Sequence, residues 1–359
     1  MTIDIEKIRN DFFKKSLWTG HHNIKYTWAQ LMLMIINCVR SLESFEEGAK
    51  APSAQTLRDR LNLKGEWLES FHDAMWKIAK FFLKKFCRYL WWISVDETHI
   101  PFFGNRKKLN AKLKRNGLGK LVYGYRADTP GATGSFCFLV ISLCCCKIRI
   151  PIAVKMLRVG EPYRPWLEPW LVRLHKLAPR ASVLADRGFG KAVWFCDMLD
   201  KIGVTYVVRI PLRKKENKNK ANAGVSRFQY WMKEQKTNNK VLVTVYVGKD
   251  KQNRKYFLAS NITNKTGKEL LNMYLNRWDL ENIFKDSDRV ELPTSSRNPK
   301  MRLFCVILSF FLFALWQVQT LLQHVQWSLR TFIKQIMTTL CQHLRCIINS
   351  LGKIIHQPP

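Results

Sequence analysis

The chain has 359 residues, with 60 Lys and Arg against 27 Asp and Glu, for a net charge of +33. That length supports two or three domains with a real core. The charge argues against an enzyme of small neutral substrates and for a polyanionic partner, nucleic acid or an anionic membrane surface.

The ten cysteines show no paired metal spacing, and Cys144, Cys145 and Cys146 are consecutive in an apolar run. Neither a zinc site nor a disulfide framework needs that pattern, so most are expected to be buried reduced thiols in a cytoplasmic protein. The first residues, MTIDIEKIRNDFFKK, are charged throughout and are not a signal peptide. Leu303 to Trp316 is the single membrane-like run, and its 14 residues fall short of the ~20 a span needs. It is expected to be a buried helix, with no membrane partner.

In chain order, residues 1–89 read as helical. Trp28 to Val39 is strongly apolar, Pro52 to Leu61 opens a short helix with Gln, Thr and two Arg outward, and a further helix runs from about Glu66 to Tyr89. Exposed Gln, Thr and Arg on short helices suit a DNA-end-binding module, and equally a plain helical bundle. At Leu90 the pattern changes to a short β-rich run, LWWISV, expected to end at Asp96-Glu97-Thr98. Arg106 to Lys120 is basic without an acid and reads as a mobile loop that touches phosphates through Arg106, Lys107, Lys108, Lys112, Lys114 and Arg115. Strands are expected at Lys120 to Thr129 and Phe136 to Cys146, a helix at Trp166 to Leu177, and a strand from Ala181 to Ala185 that ends at Asp186. A helix from Lys191 to Ile202 and a strand from Val204 to Ile210 follow. Residues 212–265 begin with a Lys/Asn-rich stretch and continue as a β-rich insertion.

Leu270 to Asp288 then reads as one helix, with Thr266 and Glu269 as a capping box. At ~100° per residue Tyr274, Arg277 and Glu281 share one face, while Trp278 and Ile283 lie off it and can bury. Asp96 and Asp186 each close a predicted buried strand, the edge of an α/β sheet where ligands bind. With Glu281 they form an all-oxygen set suited to Mg²⁺ or Mn²⁺. Two such ions ~3.5–4 Å apart can serve phosphodiester cleavage.

On these elements the chain resembles the insertion-sequence DDE transposases: strand–DET at Asp96, strand–DRGF at Asp186, and YLNRWDLE from Tyr274 to Glu281. The last signature is similar to the Tyr-x2-Arg-x3-Glu-x6-Lys of the insertion-sequence-four superfamily. The resemblance covers about Leu90 to Trp316 and implies an α/β fold: an RNase H-like mixed sheet core with a β-rich insertion, a helical N-terminal domain and a helical C-terminal region. The boundaries expected are 1–89 helical, 90–211 first part of the core, 212–265 insertion, 266–316 last core helices with the catalytic Glu, and 317–359 a basic helical tail.

The resemblance further implies cut-and-paste DNA transposition, with Asp96, Asp186 and Glu281 as catalytic and metal-binding residues for two Mg²⁺ or Mn²⁺ ions. Tyr274 and Arg277 would hold the DNA backbone and an unstacked base. The partners implied are terminal inverted repeats and target DNA, with a homodimer in the synaptic complex and a cytoplasmic, nucleoid-associated location. One departure stands out: the family Lys is due at position 288, where Asp288 stands, and Lys285 one turn earlier is the candidate substitute. A catalytically inactive or domesticated DNA-binding relative is the other reading.

Overall fold

The computed structural model describes residues 66–124, 129–145, 148–212, 219, 224–233, 239–288 and 297–323. The expected helices within 1–65, most of the Lys/Asn-rich stretch and the tail beyond 323 lie outside the described residues. Contacts divide the chain into one unit of Phe82–Asn282 and another of Met1–Phe81 with Ile283–Pro359.

The first unit is built on a nine-stranded sheet. Its strands are β1 (Trp92–Phe102), β2 (Val122–Tyr123), β3 (Gly134–Cys145), β4 (Ile148–Met156), β5 (Ser182–Ala185), β6 (Tyr206–Arg209), β7 (Arg227–Lys233), β8 (Lys240–Lys249) and β9 (Lys255–Ser260). The order is β2-β3-β1-β5-β6-β9-β8-β7, with β4 also along the outer edge of β3. β1, β3 and β4 pair antiparallel, and β1, β5 and β6 pair parallel. This mixed order is the RNase H-like core that the resemblance implied. All twelve residues of β3, GSFCFLVISLCC, are buried, which is why an apolar run without alternation is stable there.

Helices lie on both faces. α5 (Gly267–Leu275) sets Leu270, Leu271 and Tyr274 against Leu184, Val207, Tyr246 and Leu258 of the sheet. Its capping box is present as expected: Thr266 Oγ1 accepts from the Glu269 amide, and the Glu269 carboxylate accepts from the Thr266 amide. Gly267 has a packing reason, because a Cβ there would collide with the Val247 carbonyl oxygen. On the other face, the hydroxyl of Tyr206 donates to Asp200 of α4 (Val193–Ile202), a helix closed by Gly203 at φ 78°. α3 (Arg164–Leu177) packs with α4 and buries Leu167, Leu171 and Leu174 at helical spacing.

Several expectations need correction. Arg106 to Arg115 is a helix, α2, not a mobile loop. Asn105 caps it by accepting from the Lys108 amide, Leu113 is buried, and Asn110 docks it by bonding the backbone of Leu121 and Val122. Leu113 and Asn110 are only three apart, so one anchored face is enough to order an otherwise basic decapeptide. The strand expected at Lys120 to Thr129 shrinks to Val122–Tyr123 among the described residues. β4 was not anticipated; its Pro151 stands opposite Ser142 at a register irregularity, where a missing N–H is tolerated. The insertion does not stand apart: β9 pairs with β6, so β9, β8 and β7 extend the core sheet.

The helix expected from Leu270 to Asp288 is two helices, α5 and α6 (Trp278–Asp288), broken at Asn276 and Arg277. At the break the amides of Asn276, Arg277 and Asp279 reach back three residues, to Met273, Tyr274 and Asn276. These bonds wind the joint more tightly than an α-helix, yet Tyr274, Arg277 and Glu281 stay together as expected: Arg277 lies over the Tyr274 ring and pairs with Glu281. Trp278 was expected to bury and is 56% exposed, whereas Ile283 is buried as expected.

In the second unit, α1 (Glu66–Lys85), which continues into the first, is the helix expected to reach Tyr89. Phe71, Met75, Ile78 and Ala79 form its buried stripe. α7 (Pro299–Gln323) is longer than the 14-residue apolar run foretold. By length and composition it could cross a membrane, but 89% of its apolar window is buried, as in a core helix. Among the described residues, Cys137, Cys144, Cys145, Cys196 and Cys305 are buried free thiols and Cys87 is exposed.

Candidate active site

The register of the parallel strands creates the site. Trp92 to Val95 on β1 stand opposite Ser182 to Ala185 on β5, residue for residue. The next residue on each chain is an aspartate, so Asp96 and Asp186 lie side by side where the parallel pairing ends. Asp96 is not the end of its strand, however. β1 continues to Phe102 along β3, with Asp96 opposite Val140. The expected strand end is an end on the β5 side alone.

Asp186 is shaped by its own turn: Oδ1 accepts from the amides of Gly188 and Phe189 at 2.7 and 3.3 Å. Gly190 lets this turn close, since a Cβ there would collide with the Arg209 carbonyl oxygen. Asp96 Oδ1 accepts from the Glu97 amide at 2.9 Å.

Arg277 occupies the centre. Its Nη1 donates to Asp96 Oδ2 at 2.6 Å and its Nη2 donates to Glu281 Oε1 at 2.7 Å. The guanidinium stacks over Tyr274, 5.7 Å from the ring centroid. Tyr274 and Arg277 are buried, and Glu281 is about half exposed. The α5–α6 joint is what turns Arg277 inward between two carboxylates. Neither Tyr274 nor Arg277 therefore presents a free surface in this conformation.

The electrostatics follow. Burial pushes the Asp96 carboxyl up to about 6; the Arg277 charge opposes this, and the Asp186 and Glu281 charges add to it. Asp96 and Glu281 thus share one guanidinium while Asp186 stands beside Asp96 without it, and the repulsion among the three is the kind a divalent cation relieves. The donor set is all oxygen and fits Mg²⁺ or Mn²⁺. Asp96, Asp186 and Glu281 are the residues that would hold it.

Arg149 and Asp279 were missed in the sequence. Arg149 Nε donates to Asp279 Oδ1 at 3.0 Å, tying the first turn of α6 to β4. Asp279 lies within the NRWDLE run, but nothing local in the sequence marks Arg149. Lys107, Lys108, Lys112, Lys114 and Arg115 are exposed on α2, and Arg106 is half-buried against Gly124 and Gly134. The side chains of Lys285 and Asp288 lie outside the description, though both residues are within α6.

Fold and site together define an RNase H-like protein with an acidic centre, and the comparisons agree with this. Residues 163–294 match the family model described as the transposase DDE domain. The matched segment holds Asp186, Tyr274, Arg277 and Glu281; Asp96 precedes it. The match supports a DNA transposase function. In structure, the chain is similar to the piggyBac transposase of a synaptic complex with hairpin DNA, at a TM-score of 0.57 and 13% identity, over 99% of this chain and 83% of that one. At that identity the likeness is one of fold. A weaker match is the Mos1 transposase of a paired-end complex with the left transposon end, with a TM-score of 0.19 and 16% identity, over 53% of this chain and 60% of that one. No curated protein matches the sequence.

Proposed function

We propose that this DNA transposase is a metal-dependent enzyme of the insertion-sequence-four type that cleaves DNA at terminal inverted repeats and joins the freed ends to target DNA. The observation that carries this is the register that sets Asp96 beside Asp186, with Glu281 linked to Asp96 through Arg277. Two Mg²⁺ or Mn²⁺ ions held by Asp96, Asp186 and Glu281 would supply activation of the attacking oxygen and stabilisation of the leaving one. Arg277 neutralises Asp96 and Glu281, a role that ions held by these acids would take over. Released, its fork is suited to bidentate contact with a backbone phosphate, and Tyr274 beneath it is suited to stacking on an unpaired base. The exposed cations of α2, together with Lys285, position the duplex by its phosphates. The N-terminal residues 1–89 serve end binding, the working form on DNA is a homodimer, and the protein acts at the nucleoid.

The test is nicking of labelled end-sequence DNA. Cleavage should require Mg²⁺ or Mn²⁺ and should vanish in Asp96→Asn and Asp186→Asn while end binding persists. Binding without any metal-dependent nicking would instead support an inactive or domesticated DNA-binding relative, the reading that Asp288 in place of the signature Lys favours.

A further inference from the structure

Alternation along β1 sends Asp96 to one face of the sheet and Glu97 and His99 to the other. On β3 the residue directly opposite His99 is Cys137. These three residues gather their ligand atoms within 4.8 Å of one another. The three edges are nearly equal: Cys137 Sγ to Glu97 Oε2 is 3.5 Å, Cys137 Sγ to His99 Nε2 is 3.7 Å, and His99 Nε2 to Glu97 Oε2 is 3.6 Å. A tetrahedral zinc ion, with bonds of about 2.3 Å to sulfur and about 2.0–2.1 Å to nitrogen and oxygen, separates its ligands by about 3.3–3.6 Å. The side chains thus already form one face of such a tetrahedron, within about 0.3 Å on every edge.

The surroundings fit as well. The other ring nitrogen of His99, Nδ1, lies 3.2 Å from Ser135 Oγ, a contact that orients the ring with Nε2 toward Cys137 and Glu97. The Tyr163 hydroxyl bonds to Glu97 and orients that carboxylate. Cys137 is fully buried, whereas Glu97 and His99 are 23% and 21% exposed, so solvent and an ion reach the triangle from one side. Sulfur, imidazole and carboxylate together suit a borderline ion rather than Mg²⁺.

We propose that Glu97, His99 and Cys137 form a Zn²⁺ site, with a water in the fourth position, that staples β1 to β3 on the face opposite the carboxylates. On binding, the Cys137 thiol gives its proton to solvent and its sulfur becomes a thiolate ligand; no electron is transferred. This site is independent of the transposase mechanism, and its ion is not the cleavage ion.

Co²⁺ is the probe, because a cobalt–thiolate bond gives a charge-transfer band in the near ultraviolet that oxygen and nitrogen ligands do not. The full chain, stripped with chelator, should develop that band on titration with Co²⁺, and Zn²⁺ should abolish it. Cys137→Ser should remove the band. His99→Gln and Glu97→Gln, both at partly exposed positions, should each weaken Co²⁺ binding at least about tenfold. Asp96→Asn should leave the thiolate band in place. The proposal is overturned if the wild-type chain shows no thiolate band, if the band persists in Cys137→Ser, or if neither His99→Gln nor Glu97→Gln weakens binding.

Discussion

The two faces of β1 carry different chemistries one residue apart. Asp96 faces carboxylates and a guanidinium; Glu97 faces an imidazole and a thiol. Both clusters join β1 to a neighbour, but the first draws on distant elements, α6 and the turn after β5, and the second on the adjacent strand alone. The difference teaches how a strand can separate two roles. The cross-strand cluster is fixed as soon as β1 and β3 pair, and so suits a structural ion. The carboxylate cluster depends on the α5–α6 joint, and so can change its counter-charge when DNA arrives.

The sharpest way to break this comparison is to exchange the two faces by mutation. Asp96→Asn should lower metal-dependent cleavage by about 10³-fold, the order expected when a group that stabilises transition-state charge is lost. His99→Gln should cost no more than about tenfold, through a less rigid β1. Equal losses in single-turnover nicking would mean that the faces are not functionally separate.

Arg277→Ala comes next. Removing the guanidinium leaves Asp96 buried beside other carboxylates, so denaturant unfolding near pH 8 without divalent ions should show a loss of about 3 kcal/mol. Mg²⁺ should restore part of it. A loss unaffected by Mg²⁺ would argue against a cation site among these acids.

The raised Asp96 carboxyl sets a pH signature. Its folded value, about 6, exceeds its ordinary value of 3.8. The folded chain therefore binds the proton more tightly, and the resulting stabilisation is fully present below about 4 and is lost as pH rises through about 6. The difference is at most about 3 kcal/mol. Asp96→Asn should flatten stability over this window in chelator; a slope that survives the substitution belongs to another group.

The smallest effects concern DNA. Neutralising Lys107, Lys108, Lys112, Lys114 and Arg115 together should flatten the salt dependence of duplex binding, because fewer counterions are released. Lys285→Ala should weaken end binding by about 1 kcal/mol and Asp288→Lys should strengthen it, read by titration at one salt concentration. If the slope does not change, α2 is a solvated surface helix.

The sequence made the outline of the sheet legible where the signal was local. LWWISV, ASVLA and VTYVVRI are short apolar runs bounded by turns, and the Thr266–Glu269 box is a contiguous motif. What stayed hidden depends on tertiary contact. β4 contains a proline that only a register irregularity excuses. α2 is ordered by Asn110 reaching β2, which its own composition does not reveal. The α5–α6 break has no glycine or proline to announce it. For the site, the acids and the shared face of Tyr274, Arg277 and Glu281 could be read from the sequence, but Arg277 could not be placed between Asp96 and Glu281, since its bond to Asp96 crosses 181 positions of chain. Glu97 and His99 alternate along β1, but nothing local marks them, because their partner Cys137 is set by strand register and not by sequence spacing.

The contact between Arg277 and Asp96 joins residues 181 positions apart. A chain emerging from the ribosome makes the β1–β3 hairpin-like pairing early, with Glu97, His99 and Cys137 already in place. Asp96 must wait until β5 has docked and the polypeptide has been made past α5. Closing so long a loop is slow compared with local pairing. A nascent chain therefore holds its acidic centre unassembled through most of synthesis, and competence for DNA chemistry comes only with the whole sheet.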